Sequence, residues 1–144
     1  MVDVVLSLSD LQTPATPALV DTGAPLTLFP RGMAELLEIS LPDLRDPSVE
    51  TVTMLRHDWP VYCTTVTLTL PPFEDMTWES GVRFALEDGL PFALLGYEGF
   101  LNRWVVTVNG AQGYLVVEPA ENFYKPGEAV DPYEVFLREW PDIY

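Results

Sequence analysis

Positive charge is scarce in this 144-residue chain, where seven Lys and Arg stand against 22 Asp and Glu for a formal net charge of −15. A field of that sign repels phosphate, so no nucleic-acid partner is expected. The acidity itself reads as a solubility feature. Cysteine is nearly missing as well: Cys63 stands alone, no intrachain disulfide can form, and an oxidising compartment is not implied. The start Met1-Val2-Asp3-Val4-Val5 has neither the basic residues nor the long apolar centre of a secretory signal, and no apolar run reaches membrane-spanning length. A cytoplasmic protein without a membrane partner is the expectation. Histidine is limited to His57, and the nearby Asp58 and Glu50 are too few to argue for a metal site. His57 reads as a solvated loop residue, and Cys63 as a small packed strand residue rather than a nucleophile.

What the chain does have is apolar residues, 48% of the total, enough for one domain to bury a core. Fourteen prolines, repeated β-branched runs and only short helical patterns point to an all-β class. Val2, Val4, Leu6 and Leu8 fall on one face of a first strand, Leu11 to Pro17 reads as a turn, and Ala18 to Val20 starts a second strand. Leu26 to Phe29 continues it beyond a turn. Pro30 can open a short helix with Met33, Leu36 and Leu37 on its apolar face, and Leu41 to Pro47 is a loop. Residues Val49 to Leu70 form a long hairpin whose polar tip is Leu55-Arg56-His57-Asp58-Trp59-Pro60. Phe73 to Gly81 reads as a loop. Its Glu74, Asp75 and Glu79 are most simply a solvated acidic patch, with calcium left open as an alternative. Strands follow at Val82 to Leu86 and Pro91 to Leu95, then a helical turn at Tyr97 to Leu101 and a hairpin from Trp104 to Val117. Beyond Pro119 the pattern changes to a loop and a short helix over Pro132 to Trp140, whose apolar side holds Tyr133, Phe136, Leu137 and Trp140. A 1–118 domain and a 119–144 aromatic, acidic tail are the expected division.

The residues that carry chemistry lie at Ala18-Leu19-Val20-Asp21-Thr22-Gly23-Ala24. An apolar run delivers Asp21 to a Thr-Gly turn, which leaves the carboxylate partly desolvated, a setting that disfavours the anion unless hydrogen bonds stabilise it. Gly23 lets backbone amides approach that carboxylate, because no Cβ stands in the way. Thr22 adds a hydroxyl that donates and accepts. By itself the triplet is also what an ordinary strand-ending turn looks like. Downstream, Phe92-Ala93-Leu94-Leu95-Gly96 forms a second apolar strand closing on glycine.

Together these residues resemble the retropepsin-like aspartic proteases, over roughly Val2 to Val117. In that family a D-T-G turn is followed by a flap hairpin, by two apolar residues plus Gly, by a short helix and by closing strands. The resemblance implies a closed β-barrel with a flap and one or two short helices. It also implies that Asp21, Thr22 and Gly23 are the catalytic turn, and that Leu94, Leu95 and Gly96 pack behind it. Ala24, Pro25, Met54, Leu55, Arg56 and His57, with Leu94 to Gly96, would then line the substrate cleft, made apolar by Leu26 and Val52 as well. One such turn per chain implies a homodimer, in which two Asp21 carboxylates activate a water for peptide hydrolysis and no cofactor is needed. Two features depart from the family pattern. Pro25 stands where retroviral members carry a polar residue, and the flap tip is charged and bulky rather than glycine-rich. A non-catalytic binding or dimerisation module that keeps the fold is the alternative.

Overall fold

The computed structural model describes residues 1–120, except Leu55, Pro72 and the side chain of Glu74. The expected tail helix over Pro132 to Trp140 lies outside the described residues. Contacts divide the chain into two units, Met1–Asn102 and Arg103–Tyr144.

In the first unit, strands β1 (Val2–Leu8), β2 (Leu11–Gln12), β3 (Thr16–Val20) and β4 (Leu28–Phe29) precede the helix α1 (Arg31–Leu36), and β5 (Val49–Met54), β6 (His57–Leu70), β7 (Phe73–Ala85) and β8 (Ala93–Leu95) follow it. They form one sheet in the order β2-β1-β3-β8-β4-β7-β6-β5. A further pairing of β1 with β6, at Leu6↔Leu68, joins the sheet to itself, so six strands make a closed barrel. Closure removes the two long edges that an open sheet of this size would expose. Among the described residues β5 remains an edge strand, paired only with β6. The alternation in β1 does what the sequence pattern requires: Val4 and Leu6 point inward and are fully buried. Across the register, Leu6, Leu68 and Trp78 form one buried row over three strands. Phe29 and Phe84 pair in register on β4 and β7, with ring centroids 5.9 Å apart.

Several expectations are corrected by pairing partners. Phe73 to Gly81, expected as a loop, belongs to strand β7, because β6 offers a full ladder to which its alternating Trp78 and Ser80 fit. The hairpin tip is shorter than expected. His57 to Pro60 continue β6, with Met54↔His57 as the last pair, and Arg56 takes the left-handed conformation (φ +63°) that a tight connection needs. His57 is therefore a strand residue, its Nε2 3.6 Å from Glu87 Oε2 and its ring edge-on to Trp59. Leu11–Gln12, read as part of a turn, adds a short strand beside β1. In α1 the apolar face buries Met33, and Leu37 just beyond it, while Leu36 is 53% exposed.

The second unit contains the hairpin β9 (Trp104–Asn109) and β10 (Tyr114–Pro119), a separate two-stranded sheet. The Asn109 carboxamide accepts the Gln112 amide across its tight turn. The hairpin belongs to the second unit, Arg103–Tyr144.

Candidate active site

Strand β3 stops at Val20 and the chain resumes as β4 only at Leu28, because β8 runs between the two. β8 is parallel to β3 (Val20↔Leu95) and antiparallel to β4 (Leu28↔Leu94). The intervening turn must therefore arch over the end of β8, and Asp21 is its first residue. The Asp21 amide donates to the Leu95 carbonyl at 3.0 Å, which fixes its backbone to β8. The Gly23 amide donates to Asp21 Oδ1 at 2.9 Å, and the Ala24 amide to the Asp21 carbonyl at 3.2 Å. Oδ2 has no hydrogen-bond partner among the described residues. One carboxylate oxygen is thus held by the turn, and the other has no such bond among the described residues.

The rest of the turn is laced to the segment after β8. Tyr97 and Glu98 amides donate to the Ala24 and Pro25 carbonyls at 2.8 and 2.9 Å, and the Thr27 amide donates to the Glu98 carbonyl at 3.0 Å. Thr27, fully buried, accepts the Gly96 amide at its Oγ1 (3.2 Å). This satisfies a polar group that burial alone would penalise. Gly96 has no alternative here: a Cβ would strike the Leu26 carbonyl and lie 2.7 Å from that of Ala24. Gly23 is less constrained, since its Cβ would sit 3.3 Å from Asp21 Oδ1.

Beside Asp21 opens a pocket of about 160 Å³. The turn contributes Gly23, Ala24, Pro25 and Leu26 to it, β4 and β8 contribute Leu28 and Leu94, and the β5 arm of the hairpin contributes Val52, Thr53 and Met54. Asp21 and Thr53 are its polar side chains. The apolar wall continues into a core cluster of Leu28, Trp59, Val61, Ala85, Leu90 and Leu94, against which Ala24, Val52 and Met54 pack.

Of the residues expected at the site, the pocket brings together Asp21, Gly23, Ala24, Pro25, Met54 and Leu94. Thr22 is exposed at the apex of the turn, outside the pocket lining. Leu95 and Gly96 are buried behind the turn and hold it through backbone contacts rather than lining the cavity. Arg56 and His57 are exposed and do not line it, and Leu55 lies outside the described residues. Leu28 and Thr53 escaped the sequence reading. The signal for Thr53 was its place in the strand ending at Met54; Leu28 is brought in only by the pairing of β4 with β8.

One cation sits close by. The Arg83 side chain is 11% exposed and makes ion pairs with Glu98 (2.9 Å) and Glu50 (3.3 Å). Burial pulls its pKa down, but the Glu98 carboxylate, the neighbouring Cys63 and the hydrogen bond to Glu50 outweigh this and hold it above the ordinary value. Among the described residues no cluster of His, Cys, Asp and Glu suits a metal ion, and no helix is long and apolar enough to cross a membrane. No protein-family model matches the chain, and no curated protein matches it.

Proposed function

We propose that this chain is an aspartic endopeptidase of retropepsin type that works as a homodimer, with Asp21 as the reacting carboxylate. The observation that carries the reading is the Asp21 carboxylate itself: one oxygen fixed by the Gly23 amide, the other without a partner among the described residues, at the edge of an apolar pocket. A volume of about 160 Å³ falls below the roughly 300–1,000 Å³ of sites that enclose a whole small ligand. Half of a shared cleft is the simplest account of that size. In the dimer two Asp21 carboxylates face each other, like charges disfavour double ionisation, and the pair shares a proton. The ionised member takes a proton from water as it attacks, and the protonated member hydrogen-bonds to the scissile carbonyl. Thr22, whose hydroxyl has no partner among the described residues, would bond to the other protomer's backbone. The apolar lining favours cleavage between apolar residues.

A binding or dimerisation module on the same fold is the second reading, and Pro25 favours it. Exposed at the pocket rim, it offers a peptide backbone no amide donor. Sedimentation of the full chain at several concentrations, at acidic and neutral pH, separates the two requirements. The peptidase reading needs a dimer under at least one condition, unchanged in Asp21→Asn. A strict monomer throughout removes the second carboxylate and leaves the binding module.

A further inference from the structure

Both walls of the pocket converge on Arg83. This residue lies on β7 in register with Leu28, and its amide donates to the Thr27 carbonyl at 3.0 Å, so its backbone is already tied to the end of the Asp21 turn. Its guanidinium then reaches two acids that belong to different walls. Glu98 sits in the segment that braces the turn, exchanging backbone hydrogen bonds with Pro25 and Thr27. Glu50 lies on β5, two residues before Val52 and four before Met54, the apolar face that the hairpin presents to the pocket. The two carboxylates are 50% and 49% exposed, so burial does not hold either of them in place. The arginine does.

We infer that Arg83 is a positioning residue: one guanidinium holds the base of the β5–β6 hairpin and the brace of the Asp21 turn at once, so that the two walls of the pocket shift together. The geometry suits arginine, because two separate nitrogens of its planar head meet the two acids: Nε donates to Glu50 Oε2 at 3.3 Å, and Nη1 lies 2.9 Å from Glu98 Oε2 as an ion pair without an aligned hydrogen bond. A lysine ammonium would keep the charge but carry it on one nitrogen at the end of a shorter side chain, without the two separated nitrogens that meet the two carboxylates here. The purpose of the coupling rests on Asp21 being the reacting carboxylate, since hairpin closure over substrate would then be passed to the turn that aims it. The coupling itself does not depend on that reading.

Amide hydrogen exchange on the full-length chain tests it, with Glu50→Gln, Glu98→Gln, and each of these combined with Arg83→Lys. All keep a side chain of similar size, and none removes a core contact. Glu50→Gln is expected to speed exchange at the Thr27 and Glu98 amides, across the pocket from the substitution, by about twofold to fivefold, the range for partly exposed ion pairs. Glu98→Gln should do the same to the β5 amides paired with β6. In the Arg83→Lys background both cross-effects should vanish while the barrel amides keep their protection. Effects confined to the substituted wall, effects that persist with lysine, or a uniform loss of protection throughout would each overturn the inference. Cross-effects in a chain that cleaves no peptide would uphold the coupling and remove the peptidase reading.

Discussion

The two walls of the pocket are built by opposite means. On the turn side, residues 21–27 are fixed by six backbone hydrogen bonds to Leu95, Tyr97, Glu98 and Arg83 and within the turn, and by the buried Thr27 hydroxyl. On the hairpin side, β5 is an edge strand with a single neighbour among the described residues, its residues half-buried or exposed, ending in a tight connection at Arg56. A carboxylate that must meet a reacting atom gains from a frame that does not move, because misplacement of about 1 Å is costly in rate. A wall that admits and then covers a chain gains from being the less stable part of the barrel. The contrast is what the proposed division between reacting turn and closing flap requires.

Five substitutions sharpen or break that contrast. Gly96→Ala should be the most damaging, destabilising by about 3 kcal/mol or more, because its Cβ meets backbone carbonyls that the turn's own hydrogen bonds prevent from retreating. Denaturant unfolding measures it, and a loss under about 1 kcal/mol would mean the turn is more yielding than its bonding implies. Next comes a matched pair. Leu94→Ala, on the buried floor, should cost about 2–3 kcal/mol, and Met54→Ala, on the half-buried hairpin wall, about 1 kcal/mol. Equal costs in the same unfolding experiment would erase the difference between the walls. Arg83→Met should cost about 1–2 kcal/mol, less than for a fully buried pair because both carboxylates are half-exposed. The smallest effect concerns the loop entering β5. Asp46 accepts from the Ser48 hydroxyl (2.7 Å) and amide (2.9 Å), which lowers its pKa below the ordinary carboxylate value. A depressed folded-state pKa contributes stability above the ordinary carboxylate range that is lost as pH falls through the lowered value. Ser48→Ala should therefore raise the Asp46 pKa toward normal, read by carboxyl NMR titration, with no change at the Asp21 turn.

Much of the turn wall was readable in the sequence, because its determinants are local. Ala18-Leu19-Val20 needs only alternation and β-branching to be a strand, Gly23 permits the close amide, and Leu94-Leu95-Gly96 is a short apolar strand closing on the one residue that fits there. The strands beyond the turn were misread where long-range pairing overrides local polarity. Phe73 to Gly81 carries three acids and reads as solvated, yet Trp78 and Ser80 alternate with exposed Thr77 and Glu79 once β6 supplies a ladder. Pro60 was included in the polar tip, but its carbonyl accepts the Leu86 amide and the strand continues through it. The Arg83 bridge had no sequence signal at all. Glu50, Arg83 and Glu98 are far apart along the chain, and only the folded barrel brings each carboxylate within 3.3 Å of the guanidinium.

The most direct test of Asp21 as the reacting group is to incubate the full-length chain with a complex peptide library between pH 4 and 7, at concentrations where sedimentation shows a dimer, and to read new termini by mass spectrometry. The account predicts cleavage between apolar residues by the wild-type chain and none by Asp21→Asn, with both equally folded and dimeric. Cleavage retained in Asp21→Asn, or none by a wild-type dimer anywhere in that range, would contradict it.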